Sequence, residues 1–105
     1  MKARPIVRRA LADQDVREAI GWYVAAGGHA LGERFIGALE MAFARIARSP
    51  TAGSPRYAYE LGIEELRVWP LRGFPHLIFY RDTGDALDAW RVLHTRRDIP
   101  SWLVE

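Results

Sequence analysis

The chain is predicted to adopt an α+β fold: a short N-terminal strand, an antiparallel helical hairpin, then an antiparallel β-meander packed on the helices. Three observations predict it. From Val16 to Ile46 apolar residues recur every three or four positions, broken only by Gly27-Gly28. Beyond Pro50 the pattern changes to short β-rich runs separated by two turn-forming clusters, Arg72-Gly73-Phe74-Pro75 and Asp82-Thr83-Gly84-Asp85. Neither half can bury its apolar face alone, so each is expected to cover the other.

Residues 4–8 read as a first strand centred on Ile6 and Val7. Asp15 followed by Glu18 resembles a capping box, with Asp13 as an alternative N-cap, so the first helix is expected to start there. Val16, Ile20, Tyr23 and Val24 give it an apolar face, and Gly27-Gly28 is expected to stop it. Leu31, Phe35, Leu39, Ala42 and Ile46 form the stripe of a second helix, which Ser49-Pro50 ends because the residue before proline avoids helical geometry. So short a connection makes the two helices antiparallel neighbours.

Residues 51–59 read as a loop and Leu61 to Ile63 as a short strand. In the run 65–71, Leu66, Val68 and Pro70 alternate with Arg67, Trp69 and Leu71. Runs 76–81 and 86–94 complete three consecutive strands. The tail, residues 95–105, is expected to carry a short helical turn ending in Trp102 and Leu103.

A chain of 105 residues is expected to form one domain, large enough for a single core. There is no cysteine, which excludes disulfides, thiol nucleophiles and thiolate metal sites and fits a reducing cytoplasm. No apolar run is long enough to span a membrane, and the basic start, Met1 to Pro5, lacks the apolar stretch of a secretory signal. Net charge is only +2, yet the 15 basic residues are 14 arginines and a single lysine, Lys2. Arginine's planar fork suits carboxylates and phosphates alike, while a GC-rich genome explains the same bias without any function. His29, His76 and His94 lack ligand spacing, so neither a metal nor a cofactor is expected. Ser49, Ser54 and Ser101 sit in proline-flanked loops with no nucleophile context.

Four strings together resemble the ParE/RelE toxin superfamily. Residues 12–23, with an acidic start and the Trp22-Tyr23 pair, are similar to its opening helix. Ala47-Arg48-Ser49-Pro50-Thr51-Ala52-Gly53 is similar to its exit from the second helix, and residues 74–81 to its central strand. Arg91-Val92-Leu93-His94-Thr95-Arg96-Arg97-Asp98 closely resembles the string that closes the last strand in ParE-like members. The resemblance spans nearly the whole chain and implies the RelE/ParE-like fold. It also implies a type II toxin–antitoxin pair in a bacterial cytoplasm, the toxin neutralised by the C-terminal segment of a ParD-like antitoxin that folds onto it. ParE-like members imply DNA gyrase as target; RelE-like members imply cleavage of ribosome-bound mRNA.

Fold alone does not choose between these targets, so the residues must. Ribonucleolytic RelE members characteristically use lysines and arginines with a C-terminal tyrosine; here Lys2 stands at the wrong end and Trp102 replaces the tyrosine. A YoeB-like set of Glu65, Arg67, Arg81 and His94, as base, phosphate clamps and acid, keeps the mRNA endonuclease open as an alternative. Tyr80, in the middle of a β run, reads as core. A degenerate member that only binds its antitoxin is the second alternative.

The reading adopted is a gyrase inhibitor that is not an enzyme. Arg67, Arg72 and Arg81 with His76, then Arg91, Arg96 and Arg97, make two acid-free runs that the meander could set side by side as one positive patch. The plainer account pairs Arg91 and Arg97 with Asp88 and Asp98. The expected binding surface is Arg67, Trp69, Arg72, Arg81, His94, Arg96, Arg97 and Trp102, with Trp69 as an exposed anchor and direct nucleic-acid contact secondary to the antitoxin.

Overall fold

The computed structural model describes residues 4–96. Lys2, Arg97, Asp98, Trp102 and the helical turn expected in the tail lie outside them. The chain runs through β1 (Ile6–Arg8), α1 (Ala10–Arg48), a 3-10 turn at Pro50–Ala52, α2 (Arg56–Leu61), β2 (Leu66–Pro70), β3 (His76–Asp82) and β4 (Leu87–His94). Among the described residues these strands form one sheet in the order β1-β4-β3-β2. β1 lies parallel to β4, and β4, β3 and β2 are antiparallel neighbours.

α1 is helical on both sides of Gly28, whose φ of 81° and ψ of −177° break it into two arms. That conformation is open essentially to glycine alone. The arms fold back beside each other, with Tyr23 stacked on Phe35 at 5.1 Å between ring centroids. Gly32 faces Val24 so closely that a Cβ there would stand 2.6 Å from the valine side chain.

The start of α1 corrects the capping expectation. The helix begins at Ala10 after Arg9, with no side-chain cap, and Asp15 lies a full turn inside it. Asp15 is spent elsewhere: its carboxylate accepts from Arg91 Nε and Nη2 at 2.7 and 2.8 Å, and from the Val92 backbone N–H at 3.0 Å. The strand expected at Leu61 to Ile63 is also corrected. The last turn of α2 occupies Leu61, and Gly62 ends that helix in the left-handed region at φ 66°. The loop expected over 51–59 contains the 3-10 turn and the first turns of α2.

Both faces of the sheet are covered, which explains why its strands read as nearly continuous apolar runs. On one face Leu71, Ile78, Tyr80, Leu87 and Val92 pack against Val16, Ala19, Tyr23, Phe35, Leu39, Ala42 and Ile46 of α1. On the other, Leu66, Val68, Phe79 and Leu93 pack with Tyr57 of α2. Phe35, Ile46, Leu66, Ile78, Phe79 and Leu93 are among the largest fully buried side chains, each stabilising the fold by about 1.5–3 kcal/mol.

β4 carries a bulge. Phe79 pairs with Arg91 and Tyr80 with Ala89, so Trp90 is an extra residue in the ladder. The extra residue inverts the alternation. Arg91 and Val92 therefore both serve the α1 face, Arg91 through Asp15 and Val92 through the core. His94 follows on that face, opposite His76.

Candidate functional site

A cleft of about 730 Å³ lies between the first arm of α1 and the paired ends of β3 and β4. Asp15, Glu18, Trp22 and Tyr23 come from the arm, Pro75 and His76 from the start of β3, and Val92, His94 and Arg96 from the end of β4. Helical spacing puts Glu18 and Trp22 one turn apart on a single face, because residues four apart are neighbours on a helix. Trp22 is 66% exposed and meets Tyr23 edge-on at 5.1 Å. His76 is buried against Tyr23, Phe35 and His94, with ring centroids 5.8, 5.2 and 5.2 Å away. His94 Nδ1 accepts the Arg96 backbone N–H at 3.1 Å, which places the His94 proton on Nε2. Burial pushes the Tyr23 hydroxyl above its ordinary pKa, keeping it protonated.

A second groove, about 350 Å³, runs over the outer side of the two arms. Val16, Ile20, Ile36, Leu39 and Phe43 form its floor, and Arg8, Asp13, Arg17 and Glu40 rim it with both signs of charge. Asp13 already pairs with Arg8 at 3.2 Å and Arg17 at 3.3 Å, so that rim is held in place.

Among the described residues, the arginines expected at the binding surface lie in several places. Arg67 lies next to Tyr80 in the ladder and donates to the carbonyls of Thr51 and Gly53 at 3.1 and 2.8 Å, bracing the segment after α1. Arg72 is exposed in the β2–β3 turn. Arg81 sits at the other end of β3, opposite Leu66 and Asp88 on the α2 face. His94 and Arg96 line the cleft. Trp69 is not the exposed anchor expected; it is half-buried and packs against the main core. The pairing expected between Arg91 and Asp88 is also replaced, since Arg91 binds Asp15 and Asp88 binds Arg9 at 2.7 Å.

The endonuclease set does not converge. Glu65 stands at positive φ just before β2, at the Arg81 end of the sheet. His94 pairs with His76, five positions along β3 from Arg81, which is about 17 Å of extended strand. Tyr80 is a core residue: its hydroxyl donates to the Pro50 carbonyl at 2.7 Å and accepts the Gly53 N–H at 2.9 Å. Among the described residues no group of three or more His, Asp or Glu could hold a metal ion, and no helix is long and apolar enough to cross a membrane.

The cleft residues Glu18, Trp22 and Tyr23 were not singled out as site residues from the sequence. One signal was available: Trp22 lies off the Val16, Ile20, Tyr23, Val24 stripe, so an indole is left outside the helix's apolar face. Nothing in sequence spacing brings that indole to His94.

A family profile described as the ParE toxin of type II toxin–antitoxin system, parDE, matches residues 6–99. This chain belongs to the ParE toxin family. The fold is similar to that of a solved chain described as the chromosomal ParDE TA system from P. aeruginosa, with a TM-score of 0.73 and 15% sequence identity, covering 88% of this chain and 96% of that one. No curated protein sequence matches at a significant level. In the exit string after α1, Pro50 and Gly53 are the residues that hold the Tyr80 hydroxyl in this ParE-type toxin.

Proposed function

We propose that this ParE-family toxin inhibits DNA gyrase without being an enzyme, and that a ParD-like antitoxin holds it inactive in the bacterial cytoplasm. The family match over residues 6–99 carries the reading. The separation of His94 from Glu65, Arg67 and Arg81, which lie towards the other end of the sheet, supports it, because general acid–base cleavage needs those groups within hydrogen-bond reach of one phosphodiester. The apolar groove over the two arms, rimmed by charges, suits the amphipathic C-terminal segment of such an antitoxin. The exposed Arg72 and Arg96, with the half-buried His94, lie towards one end of the sheet and are the basic groups offered to the target.

The deciding experiment is inducible expression without antitoxin, following DNA-damage signalling and bulk translation in the same culture. Gyrase inhibition predicts a damage response before any fall in translation. Immediate translation arrest with cut messages would replace this reading by the mRNA endonuclease. Normal growth, together with tight antitoxin binding, would leave only the degenerate binding partner.

A further inference from the structure

We propose that the cleft between the first arm of α1 and the ends of β3 and β4 binds a guanine nucleotide, free or unpaired within a strand. The inference is independent of the gyrase reading. At about 730 Å³ the cleft falls within the size range of small-molecule sites. One exposed wall is the Trp22 indole, held edge-on by Tyr23, and a flat exposed ring of this kind is a stacking platform for a base.

Charge selects the ligand. Asp15 contributes little, because Arg91 and the Val92 N–H satisfy its carboxylate. Among the described residues, the charges left to meet a ligand are Glu18 on the arm and Arg96 after β4, one of each sign. A carboxylate accepts two parallel N–H donors, whereas a guanidinium grips a phosphate. Guanine presents two adjacent donors, N1–H and the 2-amino group, on one edge. Adenine and cytosine each set a single amino donor beside a ring-nitrogen acceptor, which would face the carboxylate lone pairs. Uracil offers one N–H between two carbonyls. Glu18 receives one bond, from Gln14 Nε2 at 3.1 Å, which orients it and leaves capacity for the base. The His94 tautomer supplies an Nε2–H donor at the same wall, suited to a phosphate or carbonyl oxygen.

Calorimetric titration of the full chain with GMP, AMP, UMP, guanosine and inorganic phosphate tests this. GMP is expected to saturate one site per chain, with AMP and UMP weaker. Trp22→Ala is expected to weaken GMP about tenfold, the usual effect of losing a stacked base. Glu18→Gln should abolish the preference for GMP over AMP, and Arg96→Ala should bring GMP down to the guanosine level. All three side chains are exposed, so thermal melting that matches the parent confirms intact folding. A short single strand with one guanosine, binding tighter than GMP, identifies a strand as the source; equal binding identifies the free nucleotide. The proposal is overturned if no nucleotide saturates the chain, if inorganic phosphate binds as well as GMP, or if Glu18→Gln leaves the preference intact.

Discussion

Asp15 and Arg91, 76 residues apart in sequence, form a bidentate pair across the helix–sheet interface, with side chains 10% and 7% exposed. The same carboxylate also accepts the Val92 N–H, so a single acid anchors α1 to the bulged segment of β4. Removing Asp15 takes a bidentate partner from a buried guanidinium and the side-chain acceptor from the Val92 N–H. Asp15→Ala is therefore expected to destabilise the fold by about 3–5 kcal/mol, with Asp15→Ala/Arg91→Met recovering much of the loss. Urea unfolding of the single and double variants measures this. A double variant no better than the single would show that the pair is not coupled.

The exit from α1 makes a second sensitive point. A Cβ on Gly53 would stand 2.5 Å from the Tyr80 hydroxyl, at the place where that hydroxyl bridges Gly53 N–H and Pro50 carbonyl. Gly53→Ala is expected to cost about 1–3 kcal/mol by overpacking. Tyr80→Phe is expected to cost about 1–3 kcal/mol by leaving buried backbone groups unpaired. Thermal denaturation that left both variants at the parent midpoint would contradict the bridge.

The same tyrosine sets a pH dependence. Burial raises the Tyr80 pKa above the ordinary 10.0, partly offset by the Gly53 hydrogen bond and by Arg67, and burial raises Tyr23 in the same direction. A raised folded pKa means that the unfolded state loses its proton first. The stability from these neutral phenols is complete below about pH 10 and drains away as pH rises from there through the folded values. Denaturant midpoints should be flat with respect to these groups near neutrality and fall above that point, less steeply in Tyr80→Phe. An identical alkaline slope in that variant would assign the loss to other groups.

Gly28 supports the turn between the arms in a conformation essentially reserved for glycine. Gly28→Ala is expected to destabilise by about 1–3 kcal/mol, the usual cost of such strain. Equilibrium unfolding reads this directly, and an unchanged midpoint would mean that the arms can turn differently.

The toxin surface can be tested apart from folding. Arg72 and Arg96 are exposed, and neither makes a side-chain contact that braces the fold among the described residues, whereas Arg67 does. Arg72→Ala with Arg96→Ala is expected to keep stability and to weaken either toxicity or antitoxin affinity about tenfold or more, the scale of a lost charged hydrogen bond. Survival after induction and antitoxin titration provide the two readouts. If neither moves, these arginines are not part of the functional surface.

Local patterns carried much of this molecule in the sequence. The 3.6-residue stripe through Phe35, Leu39, Ala42 and Ile46 and the turn clusters around Gly73 and Gly84 depend on neighbours a few residues away, and the structure places helix, turns and strands accordingly. The family strings, spread over residues 12–98, point to the family whose profile matches residues 6–99.

What tertiary structure alone decided depends on partners far apart in sequence. Asp15 reads locally as a cap because its distant partner Arg91 is invisible to any short window. Leu61 reads as strand because the αL position of Gly62, which ends α2, is not legible from apolar content. Trp69 reads as exposed because alternation implies one buried face, and here α1 and α2 bury both. The single extra residue at Trp90 inverts the alternation of β4, and that inversion sets His94 beside His76 and opens the cleft to Arg96. A bulge is defined by the pairing of one strand with its neighbour, two residues opposite one, and β3 and β4 meet in that register only in the folded sheet.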